Sequence, residues 1–106
     1  MGIFKTDWLN GIAVDFKEQN KVALISCIEV VLMSMGNTKY HLVTAKLNAY
    51  NAVMRDSYKN PEYLKTVLKE VYQNDYDYII SEIKLHLGDD LVKEEDIAEF
   101  FKIMES

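Results

Sequence analysis

Asn60-Pro61-Glu62-Tyr63-Leu64-Lys65-Thr66-Val67-Leu68-Lys69-Glu70-Val71-Tyr72 reads as a helix that carries its own start signal. Asparagine is a favoured residue just before a helix, and proline fits the first helical position, where its missing N–H is not needed. An acid in the first turn suits the positive end of the helix dipole. Leu64, Val67, Leu68, Val71 and Tyr72 then recur at intervals of three and four, which places them on one face of a helix. Similar signals and the same period recur along the chain, and period-two alternation does not. The expected fold is therefore all-α: one helical bundle of five to six helices filling a single domain over residues 1–106.

Outward from that stretch, Gln73-Asn74-Asp75 supplies turn residues. Asn74 suits a left-handed conformation and Asp75 suits a cap, so a break is predicted before a second helix over 76–87. One unbroken helix over 61–87 is the alternative. Ile79, Ile80, Ile83 and Leu87 face inward in either case. Gly88 ends that helix, Asp89 and Asp90 read as loop, and Leu91 and Val92 as a plug for the end of the bundle. A last helix starts near Lys93, with Glu94, Glu95 and Asp96 crowding its positive end and Ile97, Phe100, Phe101 and Met104 inward.

On the other side, residues 37–59 are predicted as a helix capped by Asn37 or Thr38. Its inward stripe is Tyr40, Val43, Leu47, Tyr50, Met54 and Tyr58. Gly36 is expected to take the left-handed conformation that closes the preceding helix. That helix, over 21–35, carries Val22, Leu24, Ile25, Ile28, Val30, Val31 and Leu32 around most of its circumference, so burial on several sides is expected. Ser26 and Glu29 share its one polar edge. A first helix over 6–17 presents Trp8, Ile12 and Phe16 at i, i+4 and i+8, and a break near Asn20 separates it from the next.

Composition narrows the function. In 106 residues, a hydrophobic share of 49% with 27% charged residues is that of a globular chain. The most apolar run, residues 22–35, is shorter than the roughly 20 residues needed to span a bilayer, and no signal peptide is apparent. The single cysteine, Cys27, lies in an apolar run and reads as a reduced core thiol, which suits a cytoplasmic protein. Net charge is −5, with seven bases and five acids over residues 1–60 and five bases and twelve acids over 61–106. Such an acidic chain lacks the basic stripe that nucleic acids or anionic membranes require.

Signals for chemistry are thin. His41 and His86 fall on different helices, no HExxH, CxxC or EF-hand pattern occurs, and the four glycines are scattered. No catalytic, cofactor-binding or metal-ligating residue is assigned, and the chain is expected not to be an enzyme. Seven tyrosines, together with bulky apolar groups near the start of the chain, point instead to contact surfaces. Ile3, Phe4, Trp8, Ile12 and Phe16 are the candidate interface, with residues 1–20 as the interface segment.

The stretches "NPEYLKTVLKEVY", "NDYDYIISEIKLHLG" and "DIAEFFKIM" resemble a small all-helical family of output domains in thaumarchaeal two-component signalling proteins, over about residues 40–104. That resemblance implies a stand-alone output or adaptor module and transfers no catalytic residue. The expected function is a non-catalytic interaction or signalling output module, acting as a homodimer and with an unidentified protein partner. Two alternatives accompany it. One is a small-molecule-binding bundle with an apolar pocket lined by Met33, Met35, Met54 and Met104. The other is a DNA-binding regulator using Lys39, Lys46, Arg55 and Lys59.

Overall fold

Six α-helical segments and two single 3₁₀ turns make up the bundle in the computed structural model, which describes residues 16–106, with no strand among them. The segments are α1 (Glu18–Ser34), α2 (Asn37–Ala49), α3 (Pro61–Tyr72), α4 (Tyr76–Leu87), α5 (Asp89–Val92) and α6 (Glu95–Met104). The expected all-α class is thus observed. The helix expected over 6–17 lies outside the described residues, except for its last two, Phe16 and Lys17.

Helices α1 and α4 form the centre, with α2 and α3 packed as a pair and α6 lying against α3 and the start of α1. Leu24, Ile28 and Leu32 of α1, Leu64 and Leu68 of α3, Ile79 and Ile83 of α4 and Ile97 of α6 are sealed from solvent in one continuous core. The i, i+4 spacing that produces this is the one read from the sequence.

Helix boundaries agree at α3 and α4 and differ elsewhere for identifiable reasons. Pro61 opens α3 as expected, although the Asn60 side chain makes no capping bond. The break at 73–75 is real, but Gln73, not Asn74, takes the positive φ (+50°), and Asp75 does not cap through its side chain. Helix α1 begins at Glu18 rather than Lys21, so Asn20 lies inside it. Gly36 takes φ +120°, which an L side chain rarely tolerates, and is itself the residue before α2 in place of an Asn37 or Thr38 cap. Asp89 and Asp90 open a four-residue helix instead of a loop, and the last helix starts at Glu95.

The helix expected over 37–59 ends ten residues early, at Ala49. Asn51 adopts φ +59°, and Tyr50 and Ala52 both return their N–H groups to the Leu47 carbonyl at 2.9 Å. These bonds close the helix end. Tyr50 consequently leaves the inward stripe and is exposed, while Met54 and Tyr58 reach the core from the 3₁₀ turn Met54–Asp56 and the residues after it.

Two tyrosines flanking the 73–75 break differ in a testable way. Tyr76 is buried and donates its hydroxyl to the Met104 carbonyl at 2.6 Å, tying α4 to the end of α6. Tyr72 is equally buried, but its hydroxyl has no partner among the described residues. Tyr76→Phe should therefore destabilise the protein by about 1 kcal/mol, whereas Tyr72→Phe should be neutral or stabilising by a similar amount, as thermal unfolding would show. Burial, with Asp77 and Glu105 nearby, pushes the Tyr76 phenol up to about 12. The folded protein keeps this phenol protonated where the unfolded chain, near pH 10, releases the proton. Its contribution is full below pH 10 and is lost as pH rises toward 12. Tyr76→Phe should flatten that part of the stability profile.

Candidate interaction surface

A buried polar junction fixes how α1 is presented. The Asp96 carboxylate, only 3% exposed, accepts both Asn20 Nδ2 contacts at 3.0 Å, the Lys17 backbone N–H at 2.9 Å and the Ile97 N–H at 2.7 Å. It sits between the N-terminal ends of α1 and α6, where both dipoles favour negative charge. Outside it, Lys17 Nζ meets Glu94 at 3.0 Å. This hydrogen bond and charge hold the Glu94 carboxyl below, and the Lys17 ammonium above, their usual ranges. The junction sets the start of α1 and the direction from which the chain enters it.

With α1 anchored, its two sides diverge. Leu24, Ile25, Ile28, Val31 and Leu32 face the core. On the opposite side Val22 is 60% exposed, Val30 52% and Met33 46%, with Ser26 exposed between them. The expectation of burial on several sides is corrected here: among the described residues no element covers this face. At 100° per residue, Gln19, Val22, Ala23, Ser26, Cys27, Val30, Met33 and Ser34 span an arc of about 140° with no charged side chain. Glu18 and Glu29 border it along one edge. Glu29 is half-buried and accepts the Tyr40 hydroxyl at 3.1 Å, which accounts for the one acid within this apolar helix.

Along that same edge the face opens into a groove of about 350 Å³. Lys21, Val22 and Ile25 of α1 form one side, and Arg55, Asp56 and Tyr58 the other. Lys21 Nζ lies 4.9 Å from the Tyr58 ring centroid and 3.3 Å from Glu18, and the Tyr58 hydroxyl and Glu18 raise its ammonium above the usual range. Phe16 also packs against this tyrosine, with ring centroids 5.3 Å apart.

Of the candidate interface residues, Ile3, Phe4, Trp8 and Ile12 lie outside the described residues. Phe16 is half-buried against Tyr58 at the groove end of α1. Tyr50 and Tyr63 stack at 5.3 Å on the exposed surface of the α2–α3 pair. Met54 and Met104 belong to the core, while Met33 faces outward and Met35 lies at the core's edge. The four bases considered for DNA fall in two places, Lys39 and Lys46 against α3 and Arg55 and Lys59 beside Tyr58. Lys46 pairs with Glu70 at 3.6 Å, Lys39 lies over the Tyr72 ring, Lys59 lies over the Tyr58 ring, and Arg55 lines the groove.

Cys27 is half-buried, and burial pushes its thiol up, away from the reactive thiolate. His41 and His86 are exposed, and among the described residues no group of three or more His, Cys, Asp or Glu is placed to hold a metal ion. Nor is any described helix long and apolar enough to cross a membrane. Comparison with protein-family models, curated proteins and solved structures gives no match.

Sequence reading put Asn20 at a helix break and Asp96 in a helix's first turn and did not pair them, yet a signal was present. Asn20 is in step with Leu24 and Ile28, and Asp96 with Phe100 and Met104, each at i, i+4, i+8. A polar residue in register with a buried stripe requires a buried partner, and these two satisfy each other.

Proposed function

We propose that the chain is a non-catalytic interaction module that self-associates into a homodimer through the outer face of α1. One observation carries this: a 17-residue helix with a chargeless outward arc that exposes two valines and a methionine. Interface centres are depleted in charge and enriched in methionine, whereas an ordinary solvent-facing helix side is charged. Helix α4 offers the contrast. Its exposed Tyr78 and Leu85 are interspersed with Asp77, Glu82 and His86, which is how isolated apolar groups sit on a normal surface.

The resemblance to archaeal signalling output domains supports a role in signal transduction in the cytoplasm. The stacked Tyr50–Tyr63 pair, remote in sequence from α1, is the place best suited to a second, different protein.

Sedimentation equilibrium of the wild type and of Val30→Glu tests the proposal. The wild type should associate in the micromolar range. Val30→Glu places two carboxylates in the contact and should weaken association at least about 100-fold, with helicity unchanged and, at a concentration where the wild type is monomeric, an unchanged melting temperature, because Val30 is outside the core. A wild type that remains monomeric at several hundred micromolar would remove the homodimer.

A further inference from the structure

We infer that residues 73–75 are a hinge through which two copies of the chain exchange their α4–α6 units, with α3 and α4 of each chain joined into one straight helix. The outer face of α1 plays no part in this, so the hinge stands or falls separately from the dimer proposed above. The closed break is held against local preference. Gln73 sits at φ +50° and ψ −112°, a conformation that glycine reaches readily and a residue with a Cβ does not. The neighbouring side chains do little to offset that strain. Asp75 makes no capping bond, residues 73–75 are all exposed, and the Tyr72 hydroxyl just before them is buried without a partner among the described residues.

The straight form suits the sequence. Residues 62–87 contain no glycine or proline, so no backbone feature opposes a single helix over 61–87. The inward groups also stay in step across the break: Leu64, Leu68, Tyr72, Tyr76, Ile79 and Ile83 follow one another at three or four residues. Such a helix would be about 40 Å long and would carry α4 clear of its own α1.

The bonds that hold the fold divide at the same place. Before the hinge, Tyr40 is tied to Glu29 and Lys46 to Glu70. After it, Tyr76 donates to the Met104 carbonyl and Lys84 pairs with Glu105. Each unit keeps these ties when it moves. The two units are joined to each other by the core between α1 and α4, by α6 on α3, and by the Asn20–Asp96 and Lys17–Glu94 contacts. All of these form equally well between α1–α3 of one copy and α4–α6 of the other. Exchange therefore conserves them and relieves Gln73 in both chains, and a short connection under strain favours it. The device turns a monomer into a dimer using contacts the fold already contains.

The test uses the full chain carrying Val30→Glu, so that any association through α1 is suppressed. Held near its melting temperature at millimolar concentration and then cooled, it should yield a dimer that persists for hours after dilution, because separating it requires unfolding. Two substitutions at one exposed residue should move the yield in opposite directions. Gln73→Gly removes the strain of the closed form and weakens the straight helix, and should lower the yield at least about tenfold. Gln73→Ala keeps the Cβ and favours helix, and should raise it about threefold. Tagged and untagged chains should form mixed dimers when heated together and not when folded monomers are mixed in the cold. Mixed dimers formed in the cold would show a surface contact and overturn the hinge, as would Gln73→Gly and Gln73→Ala shifting the yield the same way. Monomer alone after heating, for the parent and for Gln73→Ala, would overturn the exchange outright while leaving the α1 proposal to its own test.

Discussion

Asp96→Ala is expected to lower the free energy of unfolding by about 3 kcal/mol, measured as a shift in the urea midpoint at constant slope. The substitution removes one carboxylate but strands several donors: the Asn20 side-chain amide, buried among apolar groups, and the Lys17 and Ile97 N–H groups at two helix starts. A buried donor without an acceptor costs about 1–3 kcal/mol, and here more than one is left at once. Asp96→Asn should lie in between, because its amide keeps one acceptor oxygen and turns an NH₂ group toward another NH₂ group. Asn20→Ala combined with Asp96→Ala should destabilise by clearly less than the two single changes together, since each removes the other's unsatisfied partner. A loss below about 0.5 kcal/mol for Asp96→Ala would show that the junction contributes little.

Ile28→Ala is expected to cost about 3–4 kcal/mol, by loss of transfer energy and by the cavity left where α1 meets α4. A domain of this size has about 5–15 kcal/mol in total, so the variant should be partly unfolded near its lowered melting temperature. Val30→Ala, two residues along the same helix, should change protomer stability by less than about 0.5 kcal/mol. The contrast is diagnostic because both residues are β-branched and aliphatic and differ in which side of α1 they occupy. Equal losses at 28 and 30, measured at a concentration where the protein is monomeric, would mean that the outer face is covered within the protomer.

Much of the fold was legible because the signals that encode helices are short-range. Pro61 and the stripe behind it marked α3 with its observed bounds, and Gln73-Asn74-Asp75 marked the break before α4. These features act within one or two turns, so neighbouring residues suffice to read them. The helix at residues 37–59 was overextended because Tyr50, Met54 and Tyr58 continue the apolar period past the true end. Met54 and Tyr58 are buried, but from a 3₁₀ turn and the residues after it, so burial there imitates helical spacing without a helix. Asn51 was the local stop signal, and an isolated asparagine is weak against a strong apolar period.

The candidate site was legible only in part. The sequence pointed to Ile3, Phe4, Trp8, Ile12 and Phe16, of which only Phe16 lies among the described residues. The exposed apolar surface that the structure describes lies on α1, at Val22, Val30 and Met33, which the sequence placed within a helix buried on several sides. An apolar residue shows that a side chain gains by leaving water, and says nothing about whether an element exists to cover it.

What the sequence by itself determined is therefore the helical period, most of the turns between helices and most of the core, all consequences of backbone preference and of apolar groups spaced at three and four. Only the tertiary structure decided that Asn20 and Asp96, 76 residues apart, satisfy each other in the interior, and that one side of α1 has no covering element among the described residues. Both depend on which helices lie beside which, and that is set by the packing of the whole bundle, at distances along the chain that no local pattern spans.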